Sequence, residues 1–307
     1  MQQCAMAIVL GPNQYGKAEV RVVALDRSSP RHTLVDLNVS STLRGDFAAA
    51  HTAGDNSHVL TTDAQKNTVF AFARDGIGTP EEFGERLARH FTGSFDWISG
   101  ARVAVESYGW DRIAVDGQAH DHAFSRNASE VRTAVVTADG DDVHVLAGLT
   151  DLVVLKTTGS EFWGFPRDRY TTLAETRDRI LATAVTARWR YRPGAAPDLD
   201  AAYAGARSAL LETFASTHSL ALQQSLYAMG EAVLERFDEI AEIRLSMPNR
   251  HHFLQDLSAF GLDNSLDGEG AVVYHADDRP YGLIEGTVLR DDVPPADVAW
   301  QGTPGFC

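Results

Sequence analysis

Four short segments of this chain hold side chains whose chemistry exceeds what a turn or a strand end requires. In Asn13-Gln14-Tyr15-Gly16-Lys17, a turn-prone run delivers Lys17 to the start of an alternating segment; taken alone it reads as a solvated strand-end lysine. In residues 61–68, TTDAQKNT, Thr62 and Gln65 have the spacing of a capping box, so a helix is expected to start at Thr62. The free N–H groups of such a start also suit an anion. Phe162-Trp163-Gly164-Phe165 is an aromatic turn that core packing alone would explain. Pro248-Asn249-Arg250-His251 sets three polar side chains in a row at a strand end, more than a turn needs.

Other site types are set aside. There is no G-x-G-x-x-G, no Walker loop and no G-x-S-x-G. His120 and His122 flank Asp121 and could put two imidazoles on one side of a strand, but no third ligand follows, and a polar turn after Asp116-Gly117 accounts for them equally. His251-His252 are adjacent and point two ways in a strand, a poor chelate. No metal is expected.

The elements that must position these residues are legible from period and caps. Residues 18–25 alternate as a half-buried strand, and residues 32–39 form a second candidate. TPEEFGERLARHF gives a helix with a Thr79/Glu82 capping box, Pro80 in its first position, Phe83, Leu87 and Phe91 on one face, and Gly93 as its stop. Strands are expected over 102–108 and 131–138, the latter turning at Asp139-Gly140 into 143–149. The second half repeats this order: a strand over 185–191, helices over 199–214 and 220–239, and strands at 243–247 and 271–274. The class is α+β with antiparallel sheets in two domains, divided near Asp141. Helices on one face leave the other sheet face to be covered, and a second copy of the chain is the simplest cover.

The chain has 307 residues, and 27 Lys and Arg against 42 Asp and Glu give a formal charge of −15. Such a chain repels a phosphate backbone, so nucleic acid is not an expected partner. With 44% hydrophobic residues it is no disordered tract. No run approaches the roughly 18 apolar residues of a membrane span. Cys4 and Cys307 make no disulfide framework, and neither a signal peptide nor a C-terminal peroxisomal motif is present, so a cytoplasmic location is expected.

Five stretches together resemble the urate oxidase (uricase) family: YGKAEVRV at 15–22, DNSHVLTTDAQKNT at 55–68, LKTTGSEFWGFPRDRYTTLAETRDRIL at 155–181, QQSLYAMGEAVLERF at 223–237 and SMPNRHHFLQDLSAFGLDN at 246–264. They follow the family's order across nearly the whole chain. The resemblance implies the tunnelling fold, two tandem T-fold domains over 1–141 and 142–307. It also implies that dimers close a β-barrel and stack into a homotetramer around a tunnel, with active sites shared between subunits. The implied reaction oxidises urate with O2 to 5-hydroxyisourate and hydrogen peroxide, with no cofactor.

By the same resemblance, Arg179 pairs with one edge of the urate anion and Gln223 with the other, while Phe162 stacks on the purine and Leu222 adds a backbone N–H. Thr62 and Asp63 offer donors from a neighbouring subunit. Lys17, Thr62 and His251 form a proton relay in which neutral Lys17 takes a proton through the Thr62 hydroxyl. Asn249, with Thr62, holds O2 and then water. Arg250 stands where relatives often have Lys, and charge is kept. Two other readings are a urate-binding protein of this fold that has lost catalysis and a pterin- or purine-acting T-fold enzyme. The first would lack Lys17, Thr62 or His251, and the second would carry a zinc-binding His set or an anchoring Glu; neither signature is found.

Overall fold

The computed structural model describes residues 7–265 and 271–303. Cys4 and Cys307 lie outside them. The described elements are β1 (Tyr15–Asp26), β2 (Thr33–Gly45), α1 (Ala48–Ala53), α2 (Thr62–Arg74), α3 (Pro80–Ser94), β3 (Ile98–Val115), β4 (Gln118–Asp139), β5 (Asp142–Lys156), β6 (Leu181–Tyr191), α4 (Leu199–Ser216), α5 (Leu222–Arg236), β7 (Ile240–Pro248), β8 (His251–Leu254), β9 (Tyr274–Asp277), β10 (Leu283–Leu289) and α6 (Asp297–Trp300). The chain divides into two compact units. Of the described residues, one holds those up to 128 with 132–147 and 296–299, and the other holds 129–131, 148–265, 271–295 and 300–303. Among the described residues no helix is long and apolar enough to cross a membrane.

In the first unit the sheet runs β1-β2-β3-β4 and the start of β5. The β1–β2 and β2–β3 pairs are antiparallel. Val20 and Val22 face inward as their alternation predicts, and α2 packs on β1 and α3 on β3. Phe83, Leu87 and Phe91 are buried on α3, in a core with Leu37, Val39, Val103 and Val136. Both arms of the Thr79/Glu82 capping box are made. Gly93 does not stop α3: it stays helical, and the helix ends at Ser94, where Phe95 turns extended. No left-handed glycine is needed once the next residue leaves the helix by itself.

In the second unit the order is the rest of β5, then β6-β7-β10, with β8-β9 as a separate ribbon. β6 pairs antiparallel with β7, and β7 with β10. α4 packs on α5, which lies on β7 and β10. Arg190, which alternates with Trp189 and Tyr191 along β6, is buried. Its Nε donates to Glu242 Oε1 at 3.3 Å and a terminal nitrogen donates to Pro294 O at 3.2 Å. Trp300 donates its indole N–H to the same carboxylate. The chain's own C-terminal segment therefore covers part of the polar sheet face. The strand expected at 271–274 lies at Tyr274–Asp277 instead. Asn264 explains the shift: its carboxamide takes the N–H of Val272 at 2.8 Å and of Val273 at 3.1 Å, satisfying that backbone without a ladder. α5 also starts two residues later and ends three residues earlier than the apolar period suggests.

Candidate active site

Lys17 lies near the start of β1, where the ladder to β2 shifts register between Lys17 and Val20. Glu19 takes a left-handed backbone there, φ 58°, and its N–H goes to Ser40 Oγ at 2.9 Å. A bulge of this kind re-aims the side chain beside it. Gly16 is required for the same approach, because a Cβ at that position would sit 1.8 Å from the Ser41 carbonyl oxygen. The next layer is α2. Tyr15 donates its hydroxyl to Leu60 O at 3.0 Å, pinning the run before α2 to β1. Burial raises the Tyr15 pKa, so the phenol stays protonated and keeps donating.

The helix cap falls one residue earlier than the sequence suggests. Thr61, not Thr62, is the cap, its hydroxyl accepting from the Ala64 N–H at 3.0 Å. Counted from Thr61, Gln65 is the fourth helical residue and lies too far along to reach back. It is buried instead and accepts from Ser41 Oγ at 2.8 Å, directly under the Lys17↔Ser41 pair. The Thr62 hydroxyl is thereby released from capping. Asp63 accepts from Lys66 Nζ at 2.5 Å and Asn67 Nδ2 at 3.0 Å. Its carboxyl is held below the usual range by Lys66 first, then Asn67, with the Lys17 charge contributing. The first unit thus brings Lys17, Thr62 and Asp63 together.

The second unit holds the other expected residues at one end of its sheet. Between β5 and β6 the chain forms a long loop, which short side chains fasten. Phe162 exchanges backbone hydrogen bonds with Thr176, at 2.9 and 3.0 Å. Glu161 lies 2.8 Å from His218 Nε2 and accepts from Trp163 Nε1 at 2.6 Å, and those contacts, His218 first, lower its pKa. Arg177 stands 3.5 Å over the Trp163 ring. Phe165 stacks beside Phe162 with centroids 5.0 Å apart.

Arg179 ends this loop, two residues before β6. Its Nε donates to Ser160 Oγ at 3.3 Å, and Cζ lies 5.1 Å from the Phe162 centroid. Among the described residues its terminal nitrogens have no hydrogen-bond partner. Burial lowers its pKa, but an arginine remains cationic at neutral pH. Leu222 and Gln223 open α5, whose cap residue Ala221 has no side chain to offer the first N–H groups. A helix start with open donors favours negative charge. Leu222 is buried, and Gln223 is exposed. Asn249 follows β7, its N–H on Gly282 O at 2.8 Å and its backbone bridged to Thr183 of β6. Arg250 N–H reaches Ala182 O at 2.8 Å, and His251 opens β8, its ring 5.5 Å from Phe253. Antiparallel β6 and β7 thus set the approach to β6, with Arg179, beside the exit of β7, with Asn249.

Sequence reasoning passed over Gly16, Thr61 and three buried serines, Ser160, Ser219 and Ser225. The Gly-Lys pair at a strand start was a signal for the first, and the doubled threonine for the second; a single buried serine leaves no mark in one sequence. His120 and His122 are near each other, ring centroids 4.5 Å apart, but no group of three His, Cys, Asp or Glu fit for a metal exists among the described residues.

A family model described as Uricase matches residues 13–137 and 145–285. The chain is 58% identical over 300 residues to a uricase of Arthrobacter globiformis, covering 98% of this chain and 96% of that one. It is 38% identical to a uricase of Aspergillus flavus, over 91% of this chain and 96% of the relative. Among solved structures, the Arthrobacter globiformis uricase superposes with a TM-score of 0.89 at 59% identity, covering 95% of this chain and 98% of that one. A Bacillus sp. TB-90 urate oxidase superposes at 0.77 with 25% identity, over 91% and 100% of the two chains.

Proposed function

The chain belongs to the uricase family, and we infer that it oxidises urate with O2 and water to 5-hydroxyisourate and hydrogen peroxide. In the balanced reaction urate and water yield two electrons and two protons to O2, and the water oxygen becomes the new hydroxyl of the purine. The α+β fold of tandem T-fold domains is the family's. The observation that carries the site reading is Arg179 beside Phe162, its terminal nitrogens without a hydrogen-bond partner among the described residues, in the same unit as the first turn of α5, which no side chain caps. A flat anion stacked on Phe162 would meet the Arg179 fork at one edge, and at the other the Gln223 amide and the Leu222 N–H. Each charge-assisted hydrogen bond is worth roughly 1.5–3 kcal/mol, so a few local donors suffice in a chain of charge −15.

Triplet O2 does not accept an electron pair in one spin-allowed step, so urate must give its electrons singly, and loss of a further proton makes its ring the better one-electron donor. The Thr62 hydroxyl, released from capping, would pass that proton on toward the Lys17 amine. His251 would orient this relay, and Asn249 with Thr62 would hold O2 and afterwards the attacking water. The chain's own groups would therefore supply binding, orientation and proton transfer, with no cofactor. Lys17, Thr62 and Asp63 lie in one unit, and Phe162, Arg179, Leu222, Gln223, Asn249 and His251 lie in the other. Contribution of the first set by a neighbouring subunit of a homotetramer is the arrangement we favour. Purified protein mixed with urate in air should remove the urate absorbance and release an equal amount of peroxide. Urate that persists in air overturns the reading.

A further inference from the structure

Ser160, Ser219 and Ser225 are 0%, 0% and 1% exposed, although serine ordinarily sits at the surface. A hydroxyl is costly to bury unless it is hydrogen-bonded, so each must answer to something. Ser160 Oγ accepts from Arg179 Nε at 3.3 Å. Ser225 Oγ donates to Ser219 Oγ at 2.8 Å, and Ser219 Oγ donates to Ala221 O at 3.1 Å. The backbones of the first two are joined by a parallel bridge. Glu161 N–H donates to Ser219 O at 2.7 Å, and Ser219 N–H donates to Gly159 O at 2.9 Å. One end of this chain of contacts is the Arg179 guanidinium, and the other is the carbonyl of Ala221, the cap residue just before Leu222 and Gln223. Arg179 and those two residues are the groups read above as meeting opposite edges of urate.

We propose that Ser160, Ser219 and Ser225 are positioning residues for urate: together they fix the Arg179 fork relative to the first turn of α5. The proposal rests on the site reading given above. Physically, an arginine on a loop loses rotamer freedom when it grips an anion, and a fork already oriented through Nε loses less. Anchoring Nε is the economical choice, because it leaves both terminal nitrogens for a bidentate contact. None of the three hydroxyls is placed to touch urate. Their effect is on how well Arg179 and α5 are presented, which belongs to ground-state and transition-state binding alike.

The test uses the full-length protein and a property of the reaction: without O2 urate binds but does not turn over. Urate Kd is measured anaerobically and kcat in air, for Ser160→Ala, Arg179→Ala and the double variant. Ser160→Ala should raise Kd about tenfold and leave kcat within about twofold, as for loss of uniform binding. In the Arg179→Ala background the same substitution should add nothing, because the residue it acts through is gone. A purely structural serine would give additive effects and a lowered melting temperature without a matched rise in Kd. If Arg179→Ala weakens urate and Ser160→Ala does not, the positioning proposal falls and the site reading stands. If Arg179→Ala itself leaves Kd unchanged, the site reading falls and takes the proposal with it. Should Ser160→Ala fail to fold, Ser225→Ala loosens the same chain further from Arg179, and an unchanged Kd there overturns the proposal.

Discussion

Lys17 is where function is most concentrated in one side chain. Gly16 and the bulge at Glu19 shape the strand around it, and α2 sets Thr62 and Asp63 in its unit. If it is the proton acceptor, removing the amine should separate binding from chemistry. Lys17→Met, of similar length and unable to take a proton, should bind urate anaerobically within about threefold of the unaltered protein. Its kcat should fall by about a hundredfold or more, the scale of losing a general base. Turnover near the original rate would remove Lys17 from the relay. Thr62 illustrates how one position shifts a role. As the helix cap its hydroxyl would be committed to a backbone N–H, whereas with Thr61 capping it is available to a proton.

At the scale of elements, α3 is held by local chemistry the sequence displays openly. Thr79→Ala removes the hydroxyl arm of the box on α3, leaves the backbone N–H arm to Glu82, and should cost about 1 kcal/mol, read as a lowered unfolding midpoint with urate Kd unchanged. A shift in Kd would mean that α3 reaches the site. Phe83, Leu87 and Phe91 were legible because a 3.6-residue period survives in any context that buries one face. The lengths of β3 and β4 were not, since both run well past their apolar cores into the alternating polar stretch of residues 109–127, where no single-sequence signal separates strand from turn. Nor was β9, because the backbone partner of Val272 and Val273 is the side chain of Asn264, eight and nine residues away. Likewise the burial of Arg190 follows from the positions of Glu242 and Trp300, which the strand's own alternation does not reveal. The family was legible through likeness of motif, and the frame around the candidate site residues, the serine contacts above all, was not.

For the whole molecule, the charge of −15 argues against a polyanion as partner yet still permits a small organic anion to be bound through local donors. Sharing of sites between subunits requires an assembly. Sedimentation at micromolar concentration should return about four times the 33.4 kDa chain mass, and a monomer with full activity would rule out shared sites. The central claim, that the chain's own residues suffice for the oxidation, is tested most directly by stoichiometry after exhaustive chelation and dialysis. The expected result is an undiminished rate, with urate lost, O2 consumed and peroxide formed in equal amounts; activity that disappears on chelation and returns with added metal would contradict it.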